Sequence, residues 1–451
     1  MKKSPLLNNR PVLRTLNSLR DFQRNPLHFL ATLGDRYGDM VEIRIFFWPV
    51  FIINHPDYIK HVLQDNHRNY NKNVPIMNLF RPLLGNGLVT NYGGESWLQQ
   101  RRLMQPAFHR QRIAELGTLI TTSTNAMLER WDDYALKNQS FDVAGEMMHL
   151  TLRIVSTALF NRDVSSRTEV FEEAFLQING FLLEYFNRPF PPLKVPTPRN
   201  RRFWAALRTL DSFVYDILRE RRQSKEHYED LLSLLMQARD EETGQGMSDQ
   251  QLRDEVMTLL VAGHETAANA LTWCWYLLAQ HKEVEQRLHE ELDQVLGGCL
   301  PTVADLPRLA YTRMIFEEAM RLYPPIWIAM RKVLQDDEIG GCRIPANTYV
   351  LWSSYAVHRH PDFWEQPEHF APERFSSERA SSRPRHAYIP FSHGPRLCIG
   401  NTFALTEAQL IIAMVVQRYK LVLVPDQLIE PEPLVTLRPR NGVHITLQPR
   451  R

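Results

Sequence analysis

The chain has 451 residues, 44% of them hydrophobic, which is enough for a sizeable core in one large domain or two to three ordinary ones. Lys and Arg number 53 against 51 Asp and Glu; the net charge of +2 excludes a globally basic nucleic-acid or anionic-membrane binder, so an electrostatic partner must meet a local patch. The four cysteines, Cys274, Cys299, Cys342 and Cys398, form no Cys-x-x-Cys pair, which excludes a disulfide framework and a structural zinc site and fits a reducing compartment.

The first ten residues include Ser4, Pro5 and polar Asn8 to Arg10 and lack the unbroken apolar run of a signal peptide. Residues 1–38 read as short helices. Val41, Ile43 and Ile45 alternate with polar residues, and Val50 to Ile53 follow Trp48-Pro49, which predicts a hairpin. A helix is expected around Asp57 to Gln64. From Asn71 to Asn91, Pro75, Pro82, Gly85 and Gly87 interrupt an apolar set that includes Phe80 and Leu83, predicting an irregular segment that must bury its surface. Trp97-Leu-Gln-Gln-Arg101 opens a helix whose i, i+4 spacing puts the indole N–H and the guanidinium on one face, suited to an anionic group or to plain cation–π packing. Helical spacing dominates residues 113–240, broken by the proline-rich stretch Arg188 to Pro198, a loop because proline cannot continue a helix. Phe181 and Leu182 lie just before it.

Ser248-Asp-Gln-Gln251 is a capping-box start, and Leu252, Val256, Leu259, Gly263, Ala267, Ala270 and Cys274 then recur at helical spacing. A long buried helix to about Gln280 is expected, and its polar centre, Ala262-Gly-His-Glu-Thr266, rules against a membrane span. Burying that centre is costly unless the groups are satisfied or used. An acid beside an alcohol, Glu265-Thr266, can relay protons; the bland alternative is Thr266 bonding back to its own helix and Glu265 in a surface ion pair. Leu309 to Tyr323 reads as a helix stopped by Pro324-Pro325, with Glu318 and Arg321 on one face. His358 and His360 have the spacing of a metal pair, yet no carboxylate or cysteine cluster supports one.

Phe391-Ser-His-Gly-Pro-Arg-Leu-Cys-Ile-Gly400 presents one cysteine between glycines, directly ahead of a helical run from Asn401 to Gln417. Gly394 and Gly400 let the loop lie flat against a planar group, Phe391 shields the sulfur, and Arg396 offers a fork of donors for a carboxylate. The amides of the following helix favour a thiolate at Cys398. A lone cysteine is more often a structural core residue. The flanking Phe-x-x-Gly-x-Arg-x-Cys-x-Gly pattern, with Ala404 four residues beyond Gly400, resembles the haem-binding loop of the cytochrome P450 family.

That resemblance extends in order over nearly the whole chain, from Trp97-x-x-x-Arg101 through Glu265-Thr266 and Glu318-x-x-Arg321 with Pro372-Glu-Arg-Phe375 to Cys398. It implies a mainly α fold with a small β region, a single large helical domain over residues 1–451 enclosing haem b. Cys398 would be the axial ligand of iron, Trp97 and Arg101 would meet one propionate, and Arg331 a second. Glu265 and Thr266 would be the acid–alcohol pair that delivers protons during dioxygen reduction. Glu318, Arg321 and Arg374 would form a structural triad locking the cysteine loop. Phe80, Leu83, Phe181, Ala262, Trp327, Ile328 and Val435 would line the substrate pocket, with Thr436 beside Val435 on its floor and the Arg188–Pro198 loop as a lid. Ala267 departs from the second Thr or Ser that many relatives carry.

The reaction implied is insertion of one oxygen atom from O2 into an apolar small molecule, by hydroxylation or epoxidation. Only 53 residues follow Cys398, too few for a flavin reductase, so electrons are expected from a separate donor of ferredoxin or flavodoxin type. Arg101, Arg102, Arg110 and Arg112 offer a docking patch for it, or simply a solvated helix face. Without an anchor helix, a cytoplasmic, bacterial-type protein is expected, with no nucleic-acid partner. A peroxide-driven or isomerising member of the same fold is expected to lack the acid–alcohol pair, and a haem gas sensor needs no proton relay.

Overall fold

The computed structural model describes residues 12–13, 21–45, 48–160, 165–187, 191–224, 228 and 230–450. Arg188 to Phe190 of the expected lid loop lie outside them.

The predicted hairpin is present: β1 (Met40–Ile45) pairs antiparallel with β2 (Trp48–Ile53), Ile43 opposite Val50. β-branched residues at alternate positions fit this pleated surface, and Val41, Val50 and Ile52 bury against Leu30 and Leu33 of the helix Pro26–Tyr37. The sheet continues from β2 through β4 (Tyr349–Trp352, parallel) to β3 (Ala329–Val333, antiparallel), with short strands at Val12–Leu13 and Tyr70–Asn71 on its edges. Near the C-terminus, β5 (Pro431–Pro433) and β6 (Leu437–Pro439) form a tight hairpin.

Helices make up most of the rest, beside a three-stranded sheet of Tyr419–Leu423, His444–Pro449 and Phe141–Asp142 and a small hairpin of Asp337–Ile339 with Cys342–Ile344. The segment expected to be irregular holds a helix, Pro75–Leu84. Pro75 occupies its first turn, where a missing N–H costs nothing, while Pro82 forfeits the bond to the preceding turn and the helix ends two residues later. Phe80, Leu83 and Leu84 supply its buried side. The principal helices are α1 (Glu95–Met104), α2 (Val143–Phe160), α3 (Ser165–Asn187), α4 (Pro198–Gln223), α5 (Asp249–Gln280), α6 (Ala310–Leu322) and α7 (Asn401–Arg418).

The 32-residue α5 is the axis, begun as predicted by Ser248, whose hydroxyl accepts from Gln251 N at 3.2 Å. Its N-terminal half, Leu252 to Leu260, packs with Phe175, Ile178 and Phe181 of α3 and Leu207 and Leu210 of α4. Its C-terminal half, Ala268 to Leu278, packs with Ile315 and Phe316 of α6 and Leu410 to Val416 of α7. Between these two cores the helix opens: Ala262 is exposed and Gly263, Thr266 and Ala267 are half-buried, although their neighbours on either side are sealed. Among the described residues no helix is long and apolar enough to cross a membrane.

Candidate functional site

The cysteine loop is built by backbone geometry. Cys398 N donates to Phe391 O at 2.9 Å and Leu397 N to Gly394 O at 3.0 Å, folding the loop back on itself. Gly394 has φ +68°, and a Cβ there would collide with the Leu63 carbonyl oxygen, so its smallness serves the docking of the loop on the His61–Asp65 turn rather than a planar ligand. Gly400 differs: a Cβ there would meet no atom, and its N–H bonds the Cys398 sulfur just before α7 begins. Cys398 is accessible along one face yet deep among protein atoms, as befits the floor of a cleft. Burial pushes its thiol up, while the Gly400 N–H, Arg101 and Lys72 pull it down. Direct coordination by a cation would outweigh that burial and deprotonate it.

Around this sulfur stand four cations, Lys72, Arg101, Arg331 and Arg396, and none of them is paired with a carboxylate among the described residues. Their side-chain hydrogen bonds among the described residues go to carbonyls: Lys72 Nζ to Val89 O at 3.2 Å, Arg331 Nη1 to Met330 O at 2.9 Å and Arg396 Nη1 to Asn91 O at 3.1 Å. Burial and mutual repulsion push Arg396 down to about 9 and burial pushes Arg331 down to about 10; Lys72 is held well below its ordinary value by burial and by Arg331 and Arg396. The Arg396 guanidinium lies 4.0 Å over the Trp97 ring, whose buried indole N–H has no hydrogen-bond partner. Arg331 is buried and the other three cations half-buried, and desolvated cations with an orphaned donor are costly unless an anion completes them. Trp97, Arg101, Arg331 and Arg396 were singled out from the sequence; Lys72 was not, because a lone lysine after a short strand carries no local signal.

In the open centre of α5, Thr266 Oγ1 donates to Ala262 O at 2.7 Å, the back-bond anticipated for a helical threonine. Glu265 is buried rather than in a surface ion pair, and its carboxylate accepts from Thr436 Oγ1. Thr436 therefore turns toward the helix instead of lining the pocket floor. His264 is fully buried and packs edge-on against Phe175, with burial pushing its imidazole down to about 4, so it is neutral filler.

Glu318, Arg321 and Arg374 meet as expected. Arg321 Nε and Nη2 grip Glu318 at 2.7 and 2.8 Å with both side chains fully buried, and Arg374 Nε adds a contact at 3.4 Å. The remaining guanidinium protons go to the carbonyls of His358, Pro367 and His369, at 3.0, 2.6 and 3.1 Å. His358, considered in the sequence only as half of a metal pair, is the link onward: its Nδ1 meets Arg321 O at 3.2 Å and its Nε2 accepts from Ile389 N at 2.9 Å, two residues before Phe391. Among the described residues no cluster could hold a metal ion.

The apolar candidates divide. Phe80, Leu83, Phe181 and Val435 share a cluster with Val261 and with Ile399, the neighbour of Cys398. Trp327 and Ile328 pack instead beneath the sheet with Val50, Ile52 and Leu351, and the Trp327 indole donates to Leu434 O at 2.9 Å, which makes Trp327 core rather than pocket wall. Of the four arginines near α1, Arg102 is bound to Asp240 and Glu242, and Arg112 to Glu115, so half of the expected basic patch is compensated from within.

An accessible sulfur ahead of a helix, ringed by cations without counter-ions and set in a mainly helical fold, defines a haem-thiolate oxygenase. The Cytochrome P450 family model matches residues 5–446, and the chain belongs to that family. Cyclooctatin synthase of Streptomyces melanosporofaciens is 39% identical, covering 92% of this chain and 89% of that protein. Pentalenene oxygenase of Streptomyces avermitilis is 36% identical, covering 92% and 91%. A crystal structure of the cytochrome P450DA heme domain aligns with a TM-score of 0.89 at 27% identity over 99% of both chains. The protein is accordingly a monooxygenase, an oxidoreductase of the family whose members carry haem. The residues present fit that group: Cys398 supplies a sulfur, and the cations with the orphaned Trp97 N–H suit the carboxylates that a haem carries.

Proposed function

We propose that Cys398 is the axial ligand of a haem b iron and that Trp97, Arg101, Arg331 and Arg396, joined by Lys72, hold its propionates. When bound, the haem supplies the activation of O2, one atom going to a C–H or C=C bond of the substrate and the other leaving as water at the expense of two electrons and two protons. Glu265 and Thr266 carry protons into the cleft, and Phe80, Leu83, Phe181, Ala262 and Val435 exclude water and orient an apolar substrate. The names of relatives, cyclooctat-9-en-7-ol 5-monooxygenase and pentalenene oxygenase, denote unsaturated carbocycles, and a pocket without charged side chains among these candidates suits that class. Residues 1–451 act as one haem domain fed by a separate ferredoxin- or flavodoxin-type donor.

The uncompensated charge around the sulfur carries this reading. The reduced carbonyl complex of the purified protein should show the red-shifted Soret band of an anionic sulfur ligand, and Cys398→Ala should abolish it. Adding the two carbocycles named above should displace iron-bound water and shift the Soret band; a substrate-insensitive spectrum would favour a gas sensor instead.

A further inference from the structure

Glu265 sits in a directed hydrogen-bond chain. Asn269 Nδ2 donates to Thr436 Oγ1 at 2.9 Å, and Thr436 Oγ1 donates to Glu265 Oε1; all three side chains are at least 95% buried. A hydroxyl has one proton to give. With Asn269 donating into its oxygen, Thr436 points that proton at the carboxylate, so the order Asn269 to Thr436 to Glu265 is fixed by chemistry as well as by distance.

Thr436 belongs to the tip between β5 and β6, and that tip is bolted down. Trp327 Nε1 donates to Leu434 O at 2.9 Å, Trp273 Nε1 to Leu437 O at 3.0 Å, and Leu437 N to Pro325 O at 2.9 Å. Trp273 lies two turns along α5 from Glu265, so the helix that carries the acid also grips the loop that holds it. A glutamate side chain has three rotatable torsions, and nothing else among the described residues bonds this carboxylate.

We propose that Thr436, oriented by Asn269, is the positioning residue for the Glu265 carboxyl, a role that rests on the monooxygenase reading. Productive turnover is RH + O2 + 2e⁻ + 2H⁺ → ROH + H2O. When protons arrive late, the same electrons leave as O2 + 2e⁻ + 2H⁺ → H2O2. A carboxyl freed from Thr436 spends its time in several rotamers and delivers protons less reliably, so its loss diverts electrons to peroxide without changing what binds.

The test uses the holoenzyme with cyclooctene as probe and a surrogate ferredoxin with its reductase. Thr436→Val keeps the shape and removes the hydroxyl; it should leave the cyclooctene-induced Soret shift and the rate of electron consumption within about twofold of wild type. Product per electron should fall roughly three- to tenfold, with peroxide rising in step, as expected when part of a general-acid contribution is lost. Asn269→Ala should fall between the two, and Thr436→Ser should recover most of the yield. Turnover driven by an iodosylarene, which donates its oxygen without protons, should be the same in wild type and Thr436→Val. An unchanged product-to-electron ratio in Thr436→Val overturns the proposal, and so does an equal loss with the iodosylarene, which would mark a distorted pocket. A wild-type holoenzyme that makes no oxygenated product by either route would instead sink the monooxygenase reading itself.

Discussion

Two groups of charge flank the cysteine loop, and they are organised in opposite ways. At Glu318, Arg321 and Arg374 the carboxylate is gripped by two arginines and the spare guanidinium protons reach main-chain carbonyls. At Lys72, Arg101, Arg331 and Arg396 positive charge accumulates with carbonyls and aromatic rings but, among the described residues, no carboxylate. The first group is complete within the chain, so its work is architecture. The second is complete only with an anion from outside, so its work is binding. The first group is sealed and most of the second half-buried, but what separates their work is whether the protein itself provides the opposite charge.

The sharpest way to break the contrast is Glu318→Gln. It keeps the shape but leaves Arg321 and Arg374 facing each other, a loss of about 3–5 kcal/mol of the kind measured when one partner of a buried pair is removed. The Cys loop would also lose its anchorage through His358 and Ile389. Little folded holoprotein should be recovered; normal haem incorporation, measured as Soret absorbance per protein, would show that the triad is not needed.

Arg331→Met should behave in the opposite sense. The apoprotein loses a buried, unpaired cation, and its melting temperature should stay the same or rise. Haem retention should weaken, because a charge-assisted hydrogen bond of about 1.5–3 kcal/mol is gone, on the order of 10- to 100-fold in affinity. Haem transfer to an acceptor apoprotein measures the second quantity and thermal unfolding of the apoprotein the first. Should both fall together, Arg331 is structural and the distinction between the two groups fails.

How far the sequence made this visible follows from the range of the interactions. Trp97 and Arg101, or Glu318 and Arg321, lie within one helical turn, and the Phe391–Gly400 loop is contiguous, so local spacing exposed them. The axis helix was legible from its cap and periodicity. Lys72 and Thr436 became functional neighbours only through contacts with residues far along the chain, Thr436 with Glu265 being 171 positions away. Pro75 and Pro82 misled for a different reason: Pro75 stands in the first turn, where no N–H is needed, and Pro82 comes so late that the helix loses one bond and ends two residues on, at Leu84. Trp327 looked like pocket wall because an extended, apolar stretch has two faces, and composition does not say which one the indole takes.

A subtler effect tests whether a carboxylate without a cation obeys the same rule as cations without a carboxylate. Glu255 on α5 accepts from Leu88 N at 2.9 Å, and neighbouring Asp254 accepts from Asn86 N at 2.8 Å, together clamping the loop that follows helix Pro75–Leu84. Burial pushes the Glu255 carboxyl up to about 8, against the pull of the Leu88 N–H and with help from the charge of Asp254. A carboxyl raised in the folded state binds its proton more tightly there than in the unfolded chain, so stability falls as pH climbs from about 4.5 to about 8 and is flat beyond. Glu255→Gln keeps an acceptor for Leu88 and removes the titration. It should match wild type near pH 5 and exceed it above pH 8, by at most about 5 kcal/mol, the limit set by the shift. Glu407 on α7, also pushed up to about 8 by burial and with neither oxygen partnered among the described residues, contributes a slope of the same sign that Glu407→Gln should remove in its turn. Melting temperatures of the holoprotein between pH 5 and 9 separate these curves, and a Glu255→Gln profile parallel to wild type would mean that the loop clamp holds its charge without cost.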